Sequence, residues 1–180
     1  AFWGAASSKE AQSNPLISEV LEGVDFRDWL KRIPLKKGHN PLSLTPKYEE
    51  WLFDIFTRSE YNEYWRQKCF AFQEYLEEHS DIPIYCTGGW YDSYTRSTTE
   101  MYKDLSENKK GPVRLMMGPW THGTRTKGLS FAGDVDFGEE AAIDWLCCRL
   151  RFFDHYLKGL DNGFDDEPPV NIFVMGGGTG

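Results

Sequence analysis

Between Pro15 and about Ser80, apolar and aromatic positions recur every three or four residues, as in Tyr48, Trp51, Leu52 and Ile55 and then Tyr61, Tyr64 and Trp65. Such spacing lines one side of a helix. Pro34, Pro41 and Pro46 interrupt it. Proline lacks an amide hydrogen and fixes φ, so the segments are broken there, and together they suggest a small helical subdomain. From Asp81 the texture changes. Ile82-Pro83-Ile84-Tyr85-Cys86 is a short apolar run, Tyr94 to Leu105 has helical spacing, and Val113-Arg114-Leu115-Met116-Met117 is a second run. Strand, helix, strand in that order predicts a parallel βαβ unit. A longer amphipathic stretch from about Glu139 to Lys158 places Ala142, Trp145, Leu146, Leu150, Phe153 and Leu157 on one side and stops at Gly159. It is expected to pack on a sheet. After an acidic loop from Asp161 to Glu167, Pro168-Pro169 precedes a strand from Val170 to Met175, closed by Gly176-Gly177-Gly178. No internal repeat is present, which argues against a solenoid.

Composition narrows the function classes. With 180 residues, 40% hydrophobic and 16% aromatic, the chain holds apolar side chain for one sizeable core and a smaller satellite. The formal net charge is -8, and Lys and Arg are scattered without a basic stripe. Nucleic acid and anionic membrane surfaces are therefore not expected as partners. No apolar run approaches the roughly 18 residues of a membrane span. The sequence opens Ala1-Phe2-Trp3-Gly4, without an initiator Met, a basic segment or an apolar segment, so any targeting signal is expected upstream. Cys69, Cys86, Cys147 and Cys148 show no metal-ligand or disulfide-framework spacing. All four are expected to be reduced core residues, which favours a cytoplasmic setting.

Two loops hold candidate chemistry. In open parallel sheets, functional side chains sit just past the carboxyl ends of the strands. The first apolar run leads through Thr87-Gly88-Gly89-Trp90-Tyr91 to Asp92, and the second through Gly118-Pro119-Trp120-Thr121 to His122, with 122 − 92 = 30 residues between them. If the two strands are neighbours, the carboxylate meets the imidazole. A carboxylate on Nδ1–H holds the tautomer in which Nε2 can take a proton from a hydroxyl nucleophile. Acid followed by base is also the chain order of α/β-hydrolases. On spacing alone, a second reading stands beside this one: Asp92 caps the following helix and His122 is a loop histidine bonded to backbone.

Gly89-Trp90-Tyr91-Asp92-Ser93-Tyr94 and Gly118-Pro119-Trp120-Thr121-His122 resemble the acid and base motifs of the X-Pro dipeptidyl-peptidase and cocaine esterase family. Phe152-Phe153-Asp154-His155-Tyr156-Leu157-Lys158-Gly159, followed by Pro168-Pro169-Val170-Asn171-Ile172-Phe173-Val174-Met175-Gly176, is similar to that family's exit from its hydrolase core into a C-terminal jelly-roll domain. Tyr61-Asn62-Glu63-Tyr64-Trp65 resembles its cap-region motif, with Asn62 where the family usually has Asp. The resemblance implies an α/β fold: a partial α/β-hydrolase fold with a helical cap subdomain (residues 1–80), the C-terminal half of the hydrolase core (81–167) and the first strand of a C-terminal β jelly-roll (168–180). It implies Asp92 and His122 as catalytic residues, with Trp90, Tyr94 and Trp120 in the substrate-binding region.

The family's serine sits on a G-x-S-x-G elbow upstream of the cap. No serine here, from Ser7 to Ser130, has glycine at both of those positions. The expectation is a serine-type acyl hydrolase acting on a small ester or peptide through an acyl-enzyme. The nucleophile would come from an upstream part of the same polypeptide, with no metal or organic cofactor; association with further copies is left open. The rival is a hydrolase-like scaffold that binds or assembles without catalysis. His39, His79 and His155 are read as structural or solvated, and the Asp161, Asp165, Asp166, Glu167 cluster as a solvated acidic loop without EF-hand spacing. Trp3, Trp29, Trp51 and Trp65 are read as core.

Overall fold

A computed structural model describes residues 2–123 and 128–176, and the chain divides into two compact units, 1–67 and 68–180. The side chain of Trp3 and the closing Gly177-Gly178 lie outside the described residues. No helix among the described residues is long and apolar enough to cross a membrane.

The first unit is helical: α1 (Phe2–Ala6), α2 (Lys9–Gln12), α3 (Pro15–Glu22), α4 (Phe26–Leu30) and, after a 3₁₀ turn at Pro41–Leu44, α5 (Pro46–Thr57). Polar residues start these short helices. Ser8, Asn14 and Asp25 each accept a hydrogen bond from a first-turn amide, on Ala11, Leu16 and Arg27 respectively. Caps of this kind contribute about 1 kcal/mol each. Pro15 and Pro46 open α3 and α5, where a missing amide hydrogen costs nothing. The core is Ala5, Ala6, Ala11, Leu21 and Leu42, with Ile17, Tyr48 and Leu52 packed against it. Glu49 is buried, and its carboxylate accepts from the Gly38 amide at 2.7 Å and from Asn40 Nδ2 at 2.6 Å. Trp51, read as core from its spacing, is 42% exposed. Tyr61 to Trp65 form a turn instead of continuing the helix. There Asn62 Oδ1 accepts from the Tyr64 amide at 3.0 Å, since a short amide side chain offers the backbone an alternative to helical bonding.

The second unit carries the predicted βαβ: β1 (Ile84–Tyr91), α6 (Thr95–Asn108) and β2 (Val113–Thr121). A small antiparallel pair, β3 (Phe131–Ala132) and β4 (Val135–Asp136), precedes α7 (Trp145–Lys158) and β5 (Val170–Ile172). The main sheet has the order β1-β2-β5, and both pairings are parallel. β2 is central and almost wholly buried, which is why it reads as a continuous apolar run and not an alternating one. Cys86, Leu115 and Met117 form its core, with Ile84, Trp90, Met101 and Tyr102 packed on them. The segment 68–80 falls within this second unit, where its 3₁₀ helix Phe72–Glu78 lies against α6.

Two expectations are corrected by the structure. Asp144 caps α7 at the Cys147 amide and Gly159 ends it in the left-handed region, but the side of α7 facing the sheet is not the predicted one. Phe152 stacks near Tyr85 of β1 and Phe164, at 5.6 and 5.7 Å between ring centroids, while Leu146, Leu150, Phe153 and Leu157 are exposed. The helix is apolar on two sides, and periodicity alone does not say which meets the sheet. The cysteines differ from one another as well. All four are free, but only Cys86 is buried, while Cys69 and Cys147 are exposed.

The acidic loop is exposed at Asp161, Asp165 and Asp166, as expected, and is also tied down. Arg114 of β2 is buried with its guanidinium over the Phe164 ring at 4.6 Å; it donates to the Glu167 carbonyl at 2.9 Å and reaches Asp165 at 3.3 Å. Arg151 pairs with Glu167 at 2.6 Å.

His155 gives this loop a pH dependence. Its Nδ1 faces the Leu160 carbonyl and its Nε2 faces Asp165 Oδ2, each at 2.9 Å. Both partners only accept, so the arrangement favours the ring with hydrogen on both nitrogens. The Asp165 carboxylate, followed by the Leu160 carbonyl, holds the His155 pKa above its ordinary 6.5. The Tyr156 hydroxyl and then His155 hold Asp165 below its ordinary 3.8. A raised basic pKa stabilises below the unfolded value and loses that contribution as pH climbs through the folded one. A lowered acidic pKa stabilises above the unfolded value and loses it as pH falls through the folded one. Both contributions are therefore full between 3.8 and 6.5. The urea midpoint should fall as pH rises above that window, and His155→Gln should flatten the alkaline fall. An unchanged slope in the variant would contradict this assignment.

Candidate active site

β1 and β2 pair residue for residue from Ile84↔Val113 to Gly89↔Gly118, an offset of 113 − 84 = 29. The register then shifts, and Tyr91 pairs with Thr121, an offset of 121 − 91 = 30. Trp90 on β1 is opposed by two residues, Pro119 and Trp120, on β2. This is a β-bulge, a device that re-aims side chains near functional sites, and Pro119 has no amide hydrogen to offer the ladder. Asp92 and His122 share the new offset, 122 − 92 = 30, and follow the last paired residues.

They meet there. His122 Nδ1 lies 3.1 Å from each carboxylate oxygen of Asp92. The Asp92 side chain is 7% exposed, whereas that of His122 is 65% exposed. A shielded carboxylate therefore holds an accessible imidazole, and the ring's second nitrogen, Nε2, lies on the side away from that carboxylate. The loop behind Asp92 is closed by its own bonds. The Asp92 amide donates to the Gly89 carbonyl at 3.2 Å, and Thr95 Oγ1 donates to the Gly89 and Asp92 carbonyls at 2.5 and 2.7 Å. Asp92 Oδ1 also accepts from the Tyr94 amide at 2.9 Å. The Asp92 carboxylate therefore bonds both the turn that leads into α6 and His122, while the residue at the cap position of α6 is Tyr94, without a side-chain cap bond.

The other candidates divide. The Tyr94 ring lies 5.2 Å from the His122 ring, tilted by 56°, and is exposed beside the pair. Trp90 turns the other way, packing on the core and donating its indole N–H to the Phe173 carbonyl at 2.7 Å. Trp120 is 2% exposed and donates to the Ala141 carbonyl at 3.0 Å. Sequence reasoning passed over Gly89, Gly118 and Thr95. A Cβ on Gly89 would stand 2.1 Å from the Trp120 carbonyl oxygen, and one on Gly118 would stand 2.3 Å from the Trp120 indole. Glycine inside a strand is a signal for such close approach.

The chain is 33% identical over 99 residues to proteins of Mycobacterium bovis and Mycobacterium tuberculosis that both carry the name "Putative serine esterase". The aligned part is 53% of this chain and 14% of each relative, so the chain spans a small part of the length of the curated relatives it matches. A family model described as X-Pro dipeptidyl-peptidase (S15 family) matches residues 5–124, a stretch that includes both Asp92 and His122. That family implies an α/β-hydrolase-like fold, in keeping with the parallel sheet flanked by helices. With 120 of its 180 residues inside the match, this chain belongs to the X-Pro dipeptidyl-peptidase (S15) family.

Proposed function

We propose that the protein carrying this chain is a serine-type acyl hydrolase in which Asp92 and His122 are the acid and base of the triad. One observation carries the reading: a shielded carboxylate bonded to Nδ1 of an accessible histidine, just past the ends of two adjacent parallel strands. In the first half-reaction His122 Nε2 takes the proton of a serine hydroxyl as the oxygen attacks the acyl carbon. It then returns the proton to the departing alkoxide or amine. Water attacks the acyl-enzyme by the same route, releasing the acid and restoring the serine. Asp92 keeps Nδ1 protonated and steadies the transient imidazolium.

The serine comes from another part of the polypeptide, since no G-x-S-x-G occurs in these 180 residues. β1 is an edge of the three-stranded sheet, and a further parallel strand beside it would bring an elbow to the same end as Asp92. The helical first unit corresponds in this reading to the cap, and the residues that follow β5, which itself belongs to the main sheet, to the approach to a jelly-roll domain. Turnover of p-nitrophenyl acetate or an Xaa-Pro p-nitroanilide, abolished by a fluorophosphonate, is the expected result. A folded protein that turned over neither would contradict the proposal.

Tyr94 bears on the acyl group. The stretch after the acid, Ser93-Tyr94-Thr95, holds no charge to stabilise a substrate ammonium, and the Tyr94 ring flanks His122. Uncharged aromatic acyl esters should therefore be preferred to α-amino acyl esters. Loss of one aromatic contact of about 1 kcal/mol should raise KM for a benzoyl ester roughly fivefold in Tyr94→Ala. Comparing kcat/KM for benzoyl and phenylglycine methyl esters decides the point, and a clear preference for the amino ester would refute it.

A further inference from the structure

We propose that Trp120 is a positioning residue which, pressed against Gly89 and Gly118, locks the bulged register that sets His122 opposite Asp92. This rests on the reading of those two residues as the working base and acid. Had the offset of 29 continued, Asp92 would face Thr121, since 92 + 29 = 121, and His122 would lie one residue beyond. The extra residue on β2 removes that mismatch, and three features hold it in place. The Trp120 indole is buried, folds over the Gly118 backbone where a Cβ would stand 2.3 Å from it, and is anchored through its N–H to the Ala141 carbonyl at 3.0 Å. Its carbonyl approaches Gly89 so closely that a Cβ there would lie 2.1 Å from the oxygen, a contact that only glycine admits. Pro119, fully buried between them, offers no amide hydrogen to the regular ladder. Gly89 also accepts, through its carbonyl, from Asp92 and Thr95, so the contact with Trp120 is continuous with the turn that carries the acid. The side chain placed by resemblance near the substrate thus acts on the reaction from behind the site, through the backbone of both strands.

The test compares Gly89→Ala and Trp120→Phe with Gly88→Ala in the full-length protein. A Gly88 Cβ would meet side-chain atoms and no backbone, the movable Met117 thioether at 2.9 Å and Thr98 Cγ2 at 3.2 Å, so that variant is the control for adding a methyl to β1. Steady-state kinetics on p-nitrophenyl acetate are read beside the low-field proton resonance of His122 Nδ1–H bonded to Asp92, with circular dichroism to follow folding. Misplacement by about 1 Å costs on the order of a hundredfold in rate, so Gly89→Ala should lower kcat by about that factor, with KM within about twofold, and should lose the resonance. Trp120→Phe, which keeps a ring but not the donor to Ala141, should lower kcat by roughly tenfold and broaden or shift the resonance. Gly88→Ala should keep both. A folded Gly89→Ala with wild-type kcat and resonance would overturn the proposal. If Gly89→Ala does not fold, an unchanged kcat and resonance in Trp120→Phe would overturn it alone. Activity surviving in His122→Ala would instead refute the acid–base reading, while a resonance lost in Gly89→Ala would still report the register lock.

Discussion

Replacing His122 with alanine should lower kcat of the full-length protein by roughly 10³-fold or more, and Asp92→Asn should do so by a comparable factor, because members of a triad act as a unit. Without the imidazole nothing takes the serine proton. Without the negative charge at Asp92, the imidazolium that forms during attack loses the group that stabilises it. The two variants should differ in structure less than in rate. The His122 side chain is mostly exposed and its removal opens no cavity, whereas Asn at position 92 can still accept the Tyr94 amide bond that Asp92 Oδ1 accepts at 2.9 Å. KM should change little, since neither group is asked to bind the ground state. A variant that kept most of its kcat with an unchanged circular dichroism spectrum would remove its residue from the mechanism.

The second large effect concerns these 180 residues on their own. An acid and a base without a nucleophile leave no route to an acyl-enzyme, so the isolated chain should hydrolyse p-nitrophenyl acetate no faster than free imidazole at the same concentration. It should also take no label from a fluorophosphonate. Its serines give a physical reason: none stands on a glycine-flanked elbow, the sharp turn that exposes a serine oxygen at the top of a sheet. Stoichiometric labelling of any serine from Ser7 to Ser130 would place the nucleophile inside the chain and end the proposal that it comes from elsewhere.

How much of this was legible in the sequence varied with the kind of signal. The βαβ unit and the meeting of Asp92 with His122 were readable, because buried parallel strands are continuous apolar runs and their ends converge. The bulge was not. A spacing of 30 is compatible with a regular ladder, and only the pairing itself, Gly89 with Gly118 and then Tyr91 with Thr121, reveals that the register changes. The packing side of α7 was hidden for another reason: Phe152 and Tyr156 lie on one side and Leu146, Leu150 and Leu157 on another, and both sides score as apolar. The acidic loop reads as solvated, and its aspartates are exposed, but what ties it down was not readable. Its anchors, Arg114 and His155, are far away in sequence or belong to a helix whose facing side was uncertain. Trp90 and Trp120 sit inside recognisable motifs, yet motif position does not say whether an indole faces solvent or core.

The most direct test of the acid–base assignment is to label the full-length protein with a fluorophosphonate and locate the modified residue by mass spectrometry, in the wild type and in His122→Ala. A single labelled serine outside these 180 residues, modified at least a hundredfold more slowly when His122 is absent, is the predicted result. A label on a serine within residues 1–180, or a rate indifferent to His122, would contradict it.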